Sequence, residues 1–212
     1  MNKILIIGNS GSGKSWLSAQ LSRKLQLHEV NLDSIVWEPG GYNRKRSPEA
    51  IENEIVCLRS QHSWVVEGVF GALAEQLIPF ADTLLFLDLE WSVCENSLKA
   101  RGSESSNQLD VKQAEKNFSE LLKWASEYSI RESKSSLQFH QQLFSDFHGN
   151  KVRFTTRSQI NAFLAETTCI QTPQEGLSTR SVSSPIEPRW LRLLCLSLVV
   201  MRCQPLRRAL AS

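Results

Sequence analysis

Short apolar runs recur along the first 155 residues, separated by longer stretches in which apolar positions follow a helical spacing. Five of these runs are rich in leucine and β-branched residues, which is typical of buried strands. The predicted strands are residues 3–7, 28–33, 63–67, 83–89 and 151–155. Because every run is short and apolar throughout, we expect a parallel sheet covered by helices on both faces.

Helical patterns fill the intervals between these strands. After the first strand, Leu17, Leu21 and Leu25 recur every four residues, which indicates one buried helical face. Two polar stretches, residues 38–46 and 102–108, are predicted loops, and the second is expected to be flexible. The predicted helices are residues 14–25, 48–60, 72–78, 92–101, 110–128, 136–147 and 157–165. Regular alternation of strands and helices predicts an α/β fold.

The last part of the chain, residues 168–212, has a different composition and no clear period. It holds four of the seven prolines, and its six arginines against two acids give a net charge of +4. Residues 1–167 therefore carry 24 − 6 = 18 bases and 22 − 2 = 20 acids, a net charge of −2. We expect one domain over residues 1–167 and a disordered, non-domain tail after it. An acidic domain does not favour direct nucleic-acid binding.

No membrane or secretion signal is expected. The apolar stretch 190–201 is interrupted by Arg192 and is shorter than the roughly 20 residues that a membrane span needs. The N-terminal apolar run, residues 4–7, leads straight into glycines. The five cysteines lack C-x-x-C or zinc-site spacing, so we expect reduced thiols that pack as small apolar groups. These features predict a cytoplasmic protein.

The turn after the first strand matches the pattern G-x-x-x-x-G-K-[ST] at every defined position, between an apolar strand and a helix. Glycines let the backbone N–H groups point at phosphate oxygens, and the helix start adds a positive dipole end. Lys14 is expected to reach the β- and γ-phosphates, and the Ser15 hydroxyl to bind Mg²⁺. The predicted phosphate-binding residues are Gly8, Asn9, Ser10, Gly11, Ser12, Gly13, Lys14 and Ser15. The expected cofactors are ATP and Mg²⁺.

Such a loop also needs a carboxylate near the metal ion, usually at the carboxyl end of a neighbouring strand. Asp33 ends the second predicted strand and is the preferred candidate for orienting an acceptor or holding Mg²⁺. Asp88, in the fourth apolar run, is a second metal candidate, and Glu67 before Gly68 is a third, weaker one. An aspartate at a strand end can also be a helix cap or turn former, so these alternatives stay open.

The chain resembles the adenylate-kinase-like P-loop proteins of the DNA topology modulation group over about residues 1–165. Besides the phosphate loop, the resemblance is carried by three kinds of segment: a strand-end motif, a tryptophan-containing strand, and scattered positions in the C-terminal half. They are the segment 32–37 with Pro39, the segment 64–68, Ala81, Asp82, Leu87, Asp88, Trp124, Tyr128, Arg131, His140, Leu143 and Lys151.

This resemblance implies a three-layer P-loop NTPase fold of the nucleoside-monophosphate-kinase type, with a five-stranded parallel sheet in the order 2-3-1-4-5. It implies an acceptor region at about residues 34–62, which contains Arg44 and Arg46, and a helical lid at about residues 101–135. In such kinases, lid arginines neutralise the transferring phosphoryl group. Arg101 and Arg131 lie where catalytic lid arginines would be.

One departure concerns the acceptor. Nucleoside-monophosphate kinases carry an arginine shortly after the glycine that ends the third strand, where it holds the acceptor phosphate. Here the segment 68–71 is Gly-Val-Phe-Gly and has none. The departure leaves open a different hydroxyl or phosphate acceptor, or slow ATP hydrolysis.

The tail resembles the translation of an integron cassette recombination site, from residues 171–176 through 204–210. That resemblance implies a segment added by read-through rather than selected for function. The competing hypothesis is a basic, apolar tail that docks on a membrane or a partner.

The sequence thus predicts a phosphotransferase that moves the ATP γ-phosphate to an unidentified small-molecule acceptor. A nucleotide-dependent regulatory or binding module with weak ATPase activity is the alternative. A third and weaker hypothesis, an effect on DNA supercoiling, follows only from the family label. Neither the acceptor nor the oligomeric state is predicted.

Overall fold

A computed structural model describes residues 1–39, 44–102 and 111–167. The middle of the predicted acceptor loop, nearly all of the predicted flexible loop 102–108, and the tail 168–212 lie outside these residues. Within the described ranges no helix has the length and apolarity needed to span a membrane.

The described strands form one sheet in which every neighbouring pair is parallel. Its order is β2-β3-β1-β4-β5, which confirms the predicted order 2-3-1-4-5. The strands are β1 (Lys3–Gly8), β2 (Glu29–Asn31), β3 (Trp64–Gly68), β4 (Thr83–Leu87) and β5 (Asn150–Phe154). Because parallel strands end at the same edge, the last residues of β1, β2 and β3 are brought together there.

Helices cover both faces of this sheet, as predicted. They are α1 (Lys14–Leu25), α2 (Leu32–Val36), α3 (Pro48–Ser60), α4 (Gly71–Leu77), α5 (Trp91–Arg101), α6 (Val111–Ser126), α7 (Leu137–Asp146) and α8 (Arg157–Glu166), with 3₁₀ turns at Ile78–Phe80 and Glu127–Ser129. Alternate residues of β1 point into two different cores. Leu5 and Ile7 pack with α2, α3, α4 and α7, whereas Ile4 and Ile6 pack with α1, α5 and α8. The result is the expected three-layer α/β arrangement.

The second strand is shorter than predicted. The sequence predicted a strand over residues 28–33, but β2 ends at Asn31 and α2 begins at Leu32. The physical reason is a helix cap: the Asn31 side-chain oxygen accepts a hydrogen bond from the Asp33 backbone N–H at 2.7 Å. Asp33 therefore lies in the first turn of a short helix just past the strand end.

The fourth strand also ends earlier than the apolar run suggested. It stops at Leu87. The Asp88 N–H still donates a hydrogen bond to the Phe154 carbonyl of β5, at 2.8 Å. Asp88 is the first residue past β4 at the same edge of the sheet.

Candidate active site

The turn between β1 and α1 has a backbone that favours glycine. Gly11 and Gly13 have φ angles of 78° and 98°, in the left-handed region that L side chains rarely adopt. A Cβ at Gly11 would also collide with the Cys94 carbonyl, because α5 packs directly on the loop. Gly13 is the N-cap of α1 and provides no side-chain cap. The first N–H groups of α1 thus lack a capping side chain, which is the arrangement that binds anions at helix starts.

Lys14 is held close to this turn rather than projecting into solvent. Its side chain is buried, and Nζ donates a hydrogen bond to the Asn9 carbonyl at 2.9 Å. An ammonium group has three N–H donors. No other partner of Lys14 occurs among the described residues. The remaining donors are therefore available for phosphate oxygens.

Asn9 connects the phosphate loop to the end of α6. Its side chain is buried, with Oδ1 accepting from the Ser10 N–H at 2.8 Å and Nδ2 donating to the Ala125 carbonyl at 2.9 Å. The same residue accepts from Lys14 through its own carbonyl. The sequence predicted Asn9 as a phosphate-binding residue but gave no sign of its bond to Ala125, because a contact 116 positions away has no local signal.

Ser15, the predicted metal ligand, is hydrogen-bonded to a carboxylate. Its Oγ donates to Glu67 Oε1 at 2.7 Å, and Glu67, near the end of β3, is only 2% exposed. Because the hydroxyl proton points to Glu67, the oxygen lone pairs of Ser15 remain available to a cation. Glu67 was the third-ranked carboxylate on sequence grounds, and it is the one that contacts the phosphate loop.

Asp33 lies beside the same groups. Burial raises the pKa of its carboxyl above the usual value, Lys14 and Arg101 lower it, and Glu67 raises it further. Its backbone N–H and carbonyl bond to Asn31 and Trp37. In the part of the chain that the structure describes, the carboxylate itself has no hydrogen bond or ion pair. A partly buried carboxylate without a partner is costly for folding, which marks it as a candidate functional group.

The oxygen atoms at this edge suit Mg²⁺. Mg²⁺ prefers hard oxygen ligands and is usually held by one or two carboxylates, water and substrate phosphates rather than by a protein cage. The Ser15 hydroxyl and the carboxylates of Asp33 and Glu67 provide such donors. Among the described residues there is no cluster of three or more acidic, histidine or cysteine side chains that could hold a metal by itself. The residues therefore fit a metal ion that binds together with a nucleotide.

The other predicted site residues lie in different surroundings. Arg101 is the exposed last residue of α5, within electrostatic reach of Asp33. Asp88 is ion-paired with Arg153 of β5, whose Nε donates to it at 2.8 Å. The structure thus brings Arg101 toward the Asp33 group, while the described contact of Asp88 is with the neighbouring strand.

Arg131, the second predicted lid arginine, makes local contacts. Its guanidinium lies 3.7 Å from the ring centre of Trp124 and donates to the carbonyls of Trp124 and Ser135. Burial lowers its pKa from the usual value. In this conformation its donors hold the segment between α6 and α7 in place.

Arg157 is a basic residue that contacts the phosphate loop, and it was not among the residues predicted from the sequence. It is the first residue of α8, and its guanidinium donates to the Gly11 carbonyl at 3.2 Å and to Ser97 Oγ at 2.6 Å. A cation is unfavourable at a helix N-terminus. Arg157 begins a predicted helix just after the last predicted strand. A cation at this unfavourable position indicates a compensating partner in another element, and this was the signal available in the sequence.

Comparisons with known proteins concern the fold. The sequence matches no family model and no curated protein. Solved structures that are similar include shikimate kinase from Acinetobacter baumannii in complex with shikimate, with 15% identity, 77% of this chain and 91% of that chain covered, and a TM-score of 0.44. A gluconokinase from Sinorhizobium meliloti 1021 has 16% identity, coverages of 77% and 91%, and a TM-score of 0.41. Deoxyadenosine kinase from M. mycoides with bound dATP has 16% identity, coverages of 77% and 97%, and a TM-score of 0.42.

The architecture itself defines the fold class. A parallel sheet in the order 2-3-1-4-5, with a glycine-rich turn joining the central strand β1 to a helix that begins with Lys-Ser, is observed directly. The described chain has the P-loop NTPase fold of the nucleoside-monophosphate-kinase type.

Proposed function

We propose that this protein is a phosphotransferase that moves the γ-phosphoryl group of ATP to a small-molecule acceptor. The observation that carries the proposal is the convergence of Lys14, Asp33 and Glu67 on the Ser15 end of the loop. A structural turn would not need a buried lysine and two carboxylates at one place. A phosphoryl-transfer site does need a cation for the phosphates and acids for the metal and the acceptor.

The donor side is formed by the phosphate loop. The N–H groups at the start of α1 bind the phosphates of ATP, and Lys14 donates to oxygens of the β- and γ-phosphates. Lys14 is already held at the loop through the Asn9 carbonyl, so little side-chain entropy remains to be lost on binding. Mg²⁺, when bound, neutralises charge on the phosphate oxygens, and Ser15, Asp33 and Glu67 are the residues that would hold it. Asp88 is a further metal candidate from the sequence.

The acceptor side lies beyond Asp33. Asp33 would orient the acceptor, and Arg101, which lies within electrostatic reach of Asp33, would offset negative charge that develops on the transferred group. Arg131 is also a candidate for this role, provided that its contacts with Trp124 and Ser135 open when ligands bind.

ADP release by the full-length protein tests the proposal. It would be measured with Mg²⁺ and ATP, alone and with nucleosides, nucleoside monophosphates, hydroxy acids and sugars. We expect one acceptor class to stimulate release, and Lys14→Ala to abolish the stimulated rate. Lys151→Ala is the matched control because Lys151 lies near the start of β5, at the opposite edge of the sheet.

Two other results would be informative. Tight ATP binding without stimulated turnover by any acceptor would overturn the kinase proposal and favour an ATP-dependent regulatory module. The absence of an arginine after Gly68 is the feature that favours this alternative. Equal rates for Lys14→Ala and the parent protein would show that the measured turnover does not come from this site.

A further inference from the structure

The side chain of Asn9 lies between the phosphate loop and the end of α6. It is only 3% exposed, and both of its polar atoms have partners. Nδ2 donates to the Ala125 carbonyl at 2.9 Å, and Oδ1 accepts from the Ser10 N–H at 2.8 Å. A side-chain amide carries a donor and an acceptor on opposite sides, so these two partners determine its orientation. An aspartate or an aliphatic side chain at this position cannot make both bonds.

Two consecutive carbonyls in the last turn of α6 accept hydrogen bonds from side chains outside the helix. Arg131 donates to the Trp124 carbonyl and lies over the Trp124 ring, while Asn9 donates to the Ala125 carbonyl. The last carbonyls of a helix lack partners within it, so such donors stabilise its end. Ala125 is fully buried, and its bond to Asn9 is shielded from water.

The backbone of Asn9 contacts the lysine that is expected to bind ATP. Its carbonyl accepts from Lys14 Nζ at 2.9 Å and from the Ser12 N–H at 3.3 Å. Lys14 and Arg131 both lower the pKa of His140, so the two cations lie near the same buried ring. Asn9 therefore connects the phosphate-binding lysine with the helix end that Arg131 contacts.

We propose that Asn9 is a positioning residue, which holds the end of α6 against the phosphate loop and so keeps Arg131 in register with the γ-phosphate of ATP. This inference rests on the proposed function. To reach a phosphate, Arg131 must leave the carbonyls of Trp124 and Ser135. The bond from Asn9 to Ala125 then still holds the helix end. Because the side chain of Asn9 is bonded to protein groups, it acts through α6 rather than on the reacting atoms.

Hydrogen–deuterium exchange of the full-length protein tests this connection without turnover. Exchange would be followed in peptides that cover residues 119–131, without ligand and with Mg²⁺ and a saturating non-hydrolysable ATP analogue. We expect the analogue to slow exchange there in the parent protein but not in Asn9→Ala. Asn9→Asp retains an acceptor for the Ser10 N–H and lacks the donor to Ala125, so it should lose the response as well. Asn161→Ala is the control because Asn161 is exposed on α8, and it should respond like the parent.

Steady-state kinetics separate positioning from a purely structural role. Misplacement of reacting groups by about 1 Å can cost about a hundredfold in rate, so Asn9→Ala should lower the acceptor-stimulated kcat by about ten- to a hundredfold. The N–H groups of the loop and Lys14 remain, so the ATP Kd should change by less than about threefold. If Asn9 acts through Arg131, the double variant of Asn9→Ala and Arg131→Ala should be no slower than Arg131→Ala alone.

The outcomes distinguish this inference from the proposed function. An analogue response like the parent's in folded Asn9→Ala and Asn9→Asp, verified by thermal unfolding, would overturn the inference. Rate losses that multiply in the double variant would overturn the route through Arg131. A response that depends on Asn9, in a parent protein that no acceptor stimulates, would support the connection to α6 and overturn the kinase. A parent protein that does not bind the analogue would overturn both.

Discussion

At the scale of single residues, motif spacing predicts the phosphate loop but not which acidic residue contacts it. The pattern G-x-x-x-x-G-K-[ST] fixes which residues form the loop, since each type has a local backbone or charge requirement. Choosing among Asp33, Glu67 and Asp88 depends instead on which strands are neighbours. In the sheet, β3 lies next to β1, and this adjacency puts Glu67 against Ser15. Asp88 meets Arg153 because β4 also lies next to β5.

Glu67→Gln is expected to weaken the use of Mg²⁺ without removing nucleotide binding. The amide keeps the size of the side chain but removes the charge that supports Ser15 as a ligand. Groups that orient metal ligands typically contribute about 10- to 100-fold in metal affinity or activity. The apparent Mg²⁺ affinity, measured from the Mg²⁺ dependence of ATP turnover, should fall by about that factor. ATP binding without Mg²⁺ should be nearly unchanged.

Glu75→Gln provides the control for this measurement. Glu75 is partly exposed on α4 and paired with Lys134, so loss of its charge should change the Mg²⁺ titration by less than twofold. Identical Mg²⁺ curves for folded Glu67→Gln and the parent protein would contradict the role assigned to Glu67.

At the scale of elements, the helices at the end of the predicted lid are joined by a buried polar pair. Tyr128, in the 3₁₀ turn after α6, bonds through its hydroxyl to His140 Nδ1 of α7 at 2.6 Å. Phe86 of β4 meets the His140 ring edge-on, with ring centres 6.2 Å apart. The pair therefore connects the end of the lid region to the central sheet.

Burial of His140 should make stability depend on pH. Burial and the charge of Lys14 lower the pKa of His140 from 6.5 to about 3, although the nearby Val69 backbone favours the protonated ring. As pH falls below 6.5, the unfolded chain binds a proton here and the native protein does not. Above pH 6.5 the neutral His140 does not lower the unfolding free energy. Between pH 6.5 and about pH 3, the unfolding free energy falls by about 1.4 kcal/mol for each unit that the pH drops.

Urea unfolding between pH 7.5 and 4.5 measures this effect by comparison of variants. His140→Phe lacks the titrating ring, so its unfolding free energy should fall less steeply with decreasing pH than that of the parent protein, even if it is less stable at neutral pH. His62→Asn serves as the control, since His62 is exposed. A parent protein and a His140→Phe variant with parallel pH profiles would exclude a buried neutral histidine at this position.

Element types were largely predictable because each depends on a local period, whereas their ends depend on capping and on strand partners. Leu17, Leu21 and Leu25 form the buried side of α1, as their spacing predicted. The run around Asp33 was read as strand because its apolar residues are continuous, yet the Asn31 side chain starts a helix there. Arg157 could not be placed at the loop from sequence, since its partners Gly11 and Ser97 come from two distant elements.

At the scale of the whole molecule, the described residues form a core on both faces of the sheet. Among the described residues, the apolar side chains on both sheet faces come from elements that end with α8 at Glu166. The sequence predicts a disordered, non-domain tail after them. Deletion of residues 168–212 is therefore expected to change the midpoint of thermal unfolding by less than about 2 °C and to leave the ATP turnover rate unchanged. This comparison also tests the tail. If the tail were a membrane- or partner-docking segment that supports the domain, its removal would lower the midpoint of thermal unfolding or the ATP turnover rate.

Removal of α8 as well should have the opposite result, and it provides the contrast for the tail deletion. Ile160 is 2% exposed, and Phe163 packs against Phe154 with ring centres 5.3 Å apart. A buried side chain of this size contributes about 1.5–3 kcal/mol, and a domain has only about 5–15 kcal/mol in total. A chain ending at residue 156 also loses Arg157, which contacts the phosphate loop. We therefore expect it to lose cooperative unfolding and ATP binding together; a stable 1–156 protein, or an unstable 1–167 protein, would show that the domain boundary lies elsewhere.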